Sequence, residues 1–222
     1  MRLACAGAVA AIGLLAGAFA GRFAYDAPSD AGPARIAAVL AVALASVLVA
    51  ELRPRVVPAR IVGPLAWAAA WGALAAVATV TVPGRPGLLI VACLGAAAAT
   101  LVFALERAQA ALAAWLGDAA ASLAVCAFIV PATAAPLWLG PLALQSGVGD
   151  AATTAALWVG PLGYLAGATG VDVLRATWLY AQSPLGGVRY DYPDPFVYAA
   201  ALAALGCAFW AIASRNAVRP VR

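Results

Sequence analysis

LLIVACLGAAAATLVFAL, residues Leu88 to Leu105, is the stretch whose reading decides the fold. It carries no charge and only one hydroxyl, on Thr100. Coiled as an α-helix at 1.5 Å per residue it reaches about 27 Å, close to the roughly 30 Å of hydrocarbon in a bilayer. A strand facing both lipid and lumen would alternate apolar and polar residues, and this run does not. Similar runs recur along the chain, at residues 3–21, 36–50, 61–82, 119–139, 151–171 and 195–214. In hydrocarbon a crossing segment must satisfy its own backbone hydrogen bonds, which a helix does. The expected fold is therefore all-α, a polytopic membrane helix bundle of about seven transmembrane helices. It forms a single transmembrane domain over residues 1–222, with no soluble domain.

Composition agrees. Hydrophobic residues make up 66% of the 222 and charged ones 10%, with a mean hydropathy of +0.98. An ordinary soluble domain carries about 25% charged residues. There is no His and no Lys; all thirteen cations are Arg. That excludes bis-His haem sites, His-containing metal centres and His acid–base chemistry, and it excludes the retinal Schiff base of seven-helix light-driven proteins. The net charge of +4 calls for no nucleic acid, because Arg at helix ends is how membrane proteins set their orientation. Glu51, Arg53, Arg55 and Arg60 make residues 51–60 the candidate cytoplasmic loop. Abundant Ala with Arg in place of Lys points to a prokaryotic source, hence the cytoplasmic (inner) membrane. Cys5, Cys93, Cys126 and Cys207 fall in four separate apolar runs without a CxxC spacing, and read as buried free thiols. Neither a metal nor a cofactor is expected.

Three boundaries admit more than one reading. Run 3–21, between Arg2 and Arg22, fits an uncleaved first helix; with its small-residue AFA at Ala18 to Ala20 it also fits a signal peptide. Residues 106–118, ERAQAALAAWLGD, read as an interfacial helix or connector with Trp115 at headgroup level. Pro131, Pro136 and Pro141 interrupt 119–149, which is one helix to Leu139 followed by a loop, or else a broken or re-entrant segment. The last choice would change seven crossings to six or eight.

Few residues carry chemistry. In run 151–171, Gly160, Gly163, Gly167 and Gly170 project onto one helical face, a smooth stripe that lets another helix approach closely. Asp172 lies on a different face, near the end of the run. Arg175, three residues on, is within reach of an i,i+3 ion pair with it. Asp194, before Pro195, is placed to cap the final helix, and Tyr190, Tyr192 and Tyr198 suit a membrane interface. Because one run ends near Asp172 and the next begins near Asp194, both acids belong to one membrane face. Paired, they would form a titratable dyad or cation site, since two neighbouring carboxylates raise one another's proton affinity. Asp150 is a weaker candidate. It ends GVGD, residues 147–150, which resembles the GxGD pattern of presenilin-like and prepilin-peptidase intramembrane aspartyl proteases, though its position also suits capping the next helix.

The last third of the chain, with WVGPLGYLAGATGVDVL (158–174), then Gly186-Gly187, then Asp194-Pro195-Phe196 opening a final apolar helix, resembles the prokaryotic membrane family called domain of unknown function 1614. That resemblance implies paired aspartates at positions 172 and 194 and implies no mechanism. The expected function is non-enzymatic: a small transport or membrane-accessory protein, with the lipid bilayer as partner, a homo-oligomer or one subunit of a membrane complex. An intramembrane aspartyl hydrolase using Asp172 and Asp194 is the alternative, and a scaffold without chemistry is another.

Overall fold

The computed structural model describes residues 39, 41–50, 63–80, 88–145, 149–174 and 190–217. Run 3–21, the arginine loop 51–60 and Arg175 lie outside them. Every regular element among the described residues is a helix. In chain order these are α1 (Ala41–Ala50), α2 (Pro64–Val80), α3 (Leu88–Leu116), α4 (Asp118–Gln145), α5 (Gly149–Val159), α6 (Pro161–Thr169) and α7 (Pro195–Ala217).

Helix α3 is the centre of the bundle and packs against α2, α4, α6 and α7. Its Leu94, Ala98, Leu101 and Val102 are buried, joined in the core by Leu157, Leu162 and Leu165. Against α2 the contact is backbone on backbone. A Cβ on Gly72 would stand 2.5 Å from the Gly95 carbonyl oxygen, and one on Gly95 would stand 2.8 Å from that of Gly72. Only hydrogen fits between the two chains at this crossing, the arrangement that lets dispersion forces hold helices together where lipid removes the hydrophobic drive. Indole donors fasten α1 to α2: Trp67 Nε1 donates to the Val49 carbonyl (3.3 Å) and Trp71 Nε1 to Ser46 Oγ (2.9 Å). On the far side α7 seats Gly206 against the Phe103 ring, and Trp210 meets that ring edge-on with centroids 6.4 Å apart.

Among the described residues two helices, α3 and the Pro195–Ser214 part of α7, are long and apolar enough to cross a membrane. They are differently placed, since 56% of the apolar span of α3 is buried within the bundle and only 6% of that of α7. Phe196, Val197, Leu205, Trp210 and Ile212 all stand exposed along α7.

The helix boundaries differ most from the apolar runs in three places. Helix α3 does not stop at Leu105. Residues 106–116 continue it, because ERAQAALAAWL contains only good or neutral helix formers and no Gly or Pro. The helix ends at Gly117, whose φ of 80° is a left-handed turn that glycine adopts without strain. Helix α4 likewise runs beyond Leu139 to Gln145, through its three prolines. Run 151–171 is two helices. Pro161 has no N–H to give the Leu157 carbonyl and its ring collides with a regular continuation, so the chain bends at Gly160. The Gly160 amide closes α5 on Ala156, and the Tyr164 amide opens α6 on Gly160.

Candidate functional site

Helix α6 ends in a glycine stop. Gly170, at φ 65°, turns its amide back onto the carbonyls of Ala166 and Gly167, and the Val171 amide reaches Ala166 at 3.1 Å. These bonds satisfy carbonyls that a helix end leaves open and turn the chain aside. Asp172 follows immediately, outside the helix. Across from it runs a strap without regular secondary structure, residues 190–194.

Two phenols of this strap converge on one carboxylate oxygen. Tyr190 donates its hydroxyl to Asp172 Oδ1 at 2.8 Å, and Tyr192 donates to the same oxygen at 2.9 Å. The Tyr192 oxygen in turn accepts the amides of Val173 (3.0 Å) and Leu174 (3.4 Å). Their rings meet edge to face, 5.8 Å apart. Tyr192 thus closes a small circuit of carboxylate, phenol and two backbone amides next to the fully buried side chains of Val173 and Leu174. Burial, and then the negative charge of Asp172, push the Tyr192 hydroxyl far above the ordinary phenol range. This phenol is a fixed donor at any physiological pH.

The strap is held at two further points. The Asp191 amide reaches Thr154 Oγ1 on α5 at 3.4 Å. The Pro193 carbonyl lies so near α6 that a Cβ on Gly167 would stand 2.7 Å from it. The strap then delivers Asp194 to the start of α7. There Oδ1 accepts the amides of Phe196 (2.9 Å) and Val197 (3.0 Å), with Pro195 in the first helical position where its missing N–H costs nothing. Asp194 is exposed and committed to the helix end.

Asp172 and Asp194 are therefore gathered by one five-residue strap, Asp172 through the phenols and Asp194 through the chain itself. Asp150 lies in the first turn of α5, where its charge favours the helix dipole. The expected Asp172–Arg175 pair lies outside the described residues. The four glycines occupy four different settings. A Cβ on Gly160 would meet the Ala132 carbonyl of α4 at 2.4 Å, one on Gly163 the Leu157 carbonyl at 2.0 Å, and one on Gly167 the strap, whereas Gly170 has open space around it and serves the turn.

Two features went unread in the sequence. Tyr190 and Tyr192 read only as interface aromatics, although residues i and i+2 of an extended chain face the same way, so YDY before a proline could present two phenols together. Glu106 and Arg107 read as the end of a span. Glu106 is instead only 2% exposed and pairs with Arg107, while Gln109 Nε2 donates to Ser122 Oγ at 2.6 Å, tying α3 to α4 below the Gly117 turn. No protein family, curated protein or solved structure matches the chain.

Proposed function

We propose that this chain is a multi-pass protein of a prokaryotic cytoplasmic membrane, with about seven crossings, that works as a non-enzymatic accessory or complex subunit. The observation that carries this reading is how four of the helix hydroxyls, those of Ser46, Thr100, Thr133 and Thr169, are placed. Ser46 donates to Val42, Thr133 to Ile129, Thr169 to Leu165 and Ala166, and Thr100 to Ala96 and Ala97, each a carbonyl three or four residues back. A hydroxyl turned onto its own helix suits a dry or lipid setting. A solute pathway needs polar groups facing a shared lumen, so the transport half of the sequence expectation is the weaker half. The two apolar helices of spanning length support the membrane setting.

The aspartyl hydrolase is the second reading, favoured by the common strap that holds Asp172 and Asp194. Against it stands the use of Asp194 Oδ1 as the α7 cap. A test separates the two. Membranes carrying the tagged chain are washed with alkaline carbonate, dissolved in mild detergent and cross-linked. The expected result is retention in the washed membrane and a discrete cross-linked species that survives the Asp172→Asn, Asp194→Asn double substitution. Recovery in the carbonate wash overturns the membrane assignment. Cleavage of a transmembrane peptide by the wild type and not by a folded Asp172→Asn variant overturns the non-enzymatic one.

A further inference from the structure

Where the strap crosses α5, an open cleft of about 930 Å³ remains between them. Its wall includes the acids Asp150 and Asp191, the aromatic rings of Trp158 and Tyr190, and the small residues Thr154 and Ala155. We infer that this cleft binds an organic ammonium group, with Asp150 and Asp191 supplying charge and Trp158 and Tyr190 supplying aromatic faces. This goes beyond the accessory role and uses neither Asp172 nor Asp194 as a ligand.

Three properties select that chemistry. The first is sign: the two carboxylates in the lining, Asp150 and Asp191, attract a cation. The second is coordination. A bare divalent ion takes six or more oxygen ligands, and among the described residues no three of His, Cys, Asp and Glu converge to hold a metal. The third is the pair of aromatic walls. Indole and phenol faces carry negative quadrupole potential and attract a cation that keeps alkyl groups and sheds water easily. Tyr190 already gives its hydroxyl to Asp172 and its ring is met edge-on by Tyr192, so it contributes a ring fixed in advance of binding. A carboxylate has about four acceptor positions, so Asp150 and Asp191 can keep bonds within the protein and still face a ligand.

The probe is choline chloride, exchanged against sodium chloride at constant ionic strength, added to the full-length chain in detergent. Saturation-transfer NMR on the choline methyl protons reports binding without relying on the protein's own tryptophans. Saturable transfer is expected, weakened roughly tenfold by Trp158→Ala and by Asp191→Asn, and largely kept by Trp158→Phe. Circular dichroism checks the fold of each variant; should Trp158→Ala fail to fold, Asp191→Asn and Trp158→Phe carry the comparison. Transfer that never saturates, or saturates equally in wild type and Asp191→Asn, overturns the inference. The source of the ammonium is read by repeating the titration in nanodiscs. Phosphatidylethanolamine that weakens choline binding relative to phosphatidylglycerol alone identifies a lipid headgroup, and equal binding in both identifies a soluble amine.

Discussion

At the scale of single residues, Tyr192 carries more than Tyr190. Both phenols donate to Asp172, but the Tyr192 oxygen also receives two backbone amides beside buried Val173 and Leu174. Tyr190→Phe removes one hydrogen bond to a carboxylate, worth about 1.5–3 kcal/mol, whereas Tyr192→Phe removes such a bond and also strands those amides, adding about 1–3 kcal/mol. Denaturant unfolding in detergent should show the larger loss at position 192; the reverse order would refute the circuit. The same contacts set a pH dependence. The Tyr192 hydroxyl is raised in the folded state, first by burial and then by the Asp172 charge. An unfolded tyrosine ionises near pH 10, so above that pH the unfolded chain releases a proton the folded chain retains. Stability from this group is complete below about pH 10 and is lost as pH rises toward the folded value. Wild type should lose more stability than Tyr192→Phe between pH 9 and 11, and parallel curves would contradict it. Asp172 was legible in the sequence because a lone carboxylate stands out against apolar neighbours. Its partners were not, since phenols are common at membrane rims and only the path of the strap brings residues 190 and 192 to residue 172.

At the scale of elements, uninterrupted apolar runs pointed to helices, and punctuation sets where those helices end. Apolarity alone placed a boundary at Glu106, yet a polar residue interrupts hydropathy without interrupting an α-helix, and α3 runs on to the glycine at 117. Conversely, run 151–171 shows no change in polarity where Pro161 divides it. Pro161 divides the run on which the glycine stripe was projected, and of its four glycines Gly160 makes a close approach to α4, at the Ala132 carbonyl. Gly72 and Gly95 make a reciprocal backbone approach of their own, each in a different run and visible as a pair only once α2 folds back on α3. Gly72→Val drives new carbon into the Gly95 carbonyl and should destabilise by at least the 1–3 kcal/mol typical of overpacking. Gly170→Ala meets no neighbouring atom and bears only the left-handed φ of 65°, a penalty of about 1 kcal/mol. Thermal unfolding of the two variants should rank them in that order, and a harmless Gly72→Val would mean that α2 and α3 are farther apart than described.

At the scale of the whole molecule, the distribution of apolar surface bears on the solvent. Hydrophobic side chains line the core, as in any folded protein, but α7 also turns Phe196, Val197, Leu205, Trp210 and Ile212 outward along its length. Isolated exposed apolar residues are ordinary; a continuous sleeve of them requires a partner, and lipid is the one already expected from composition. Cys207 offers a probe of that sleeve, exposed and near the middle of the Pro195–Ser214 span. Replacing Cys5, Cys93 and Cys126 by Ala leaves a single thiol for a nitroxide label. If α7 crosses the membrane, spin relaxation of the label in nanodiscs should respond strongly to oxygen, which concentrates in hydrocarbon, and weakly to a water-soluble nickel chelate. A second label at Asn216, near the end of α7, should show the opposite preference, because nine residues of helix carry it about 14 Å toward the headgroups from position 207. Strong nickel relaxation at position 207 would place α7 in water, and the reading of its exposed face as lipid-covered would fail there.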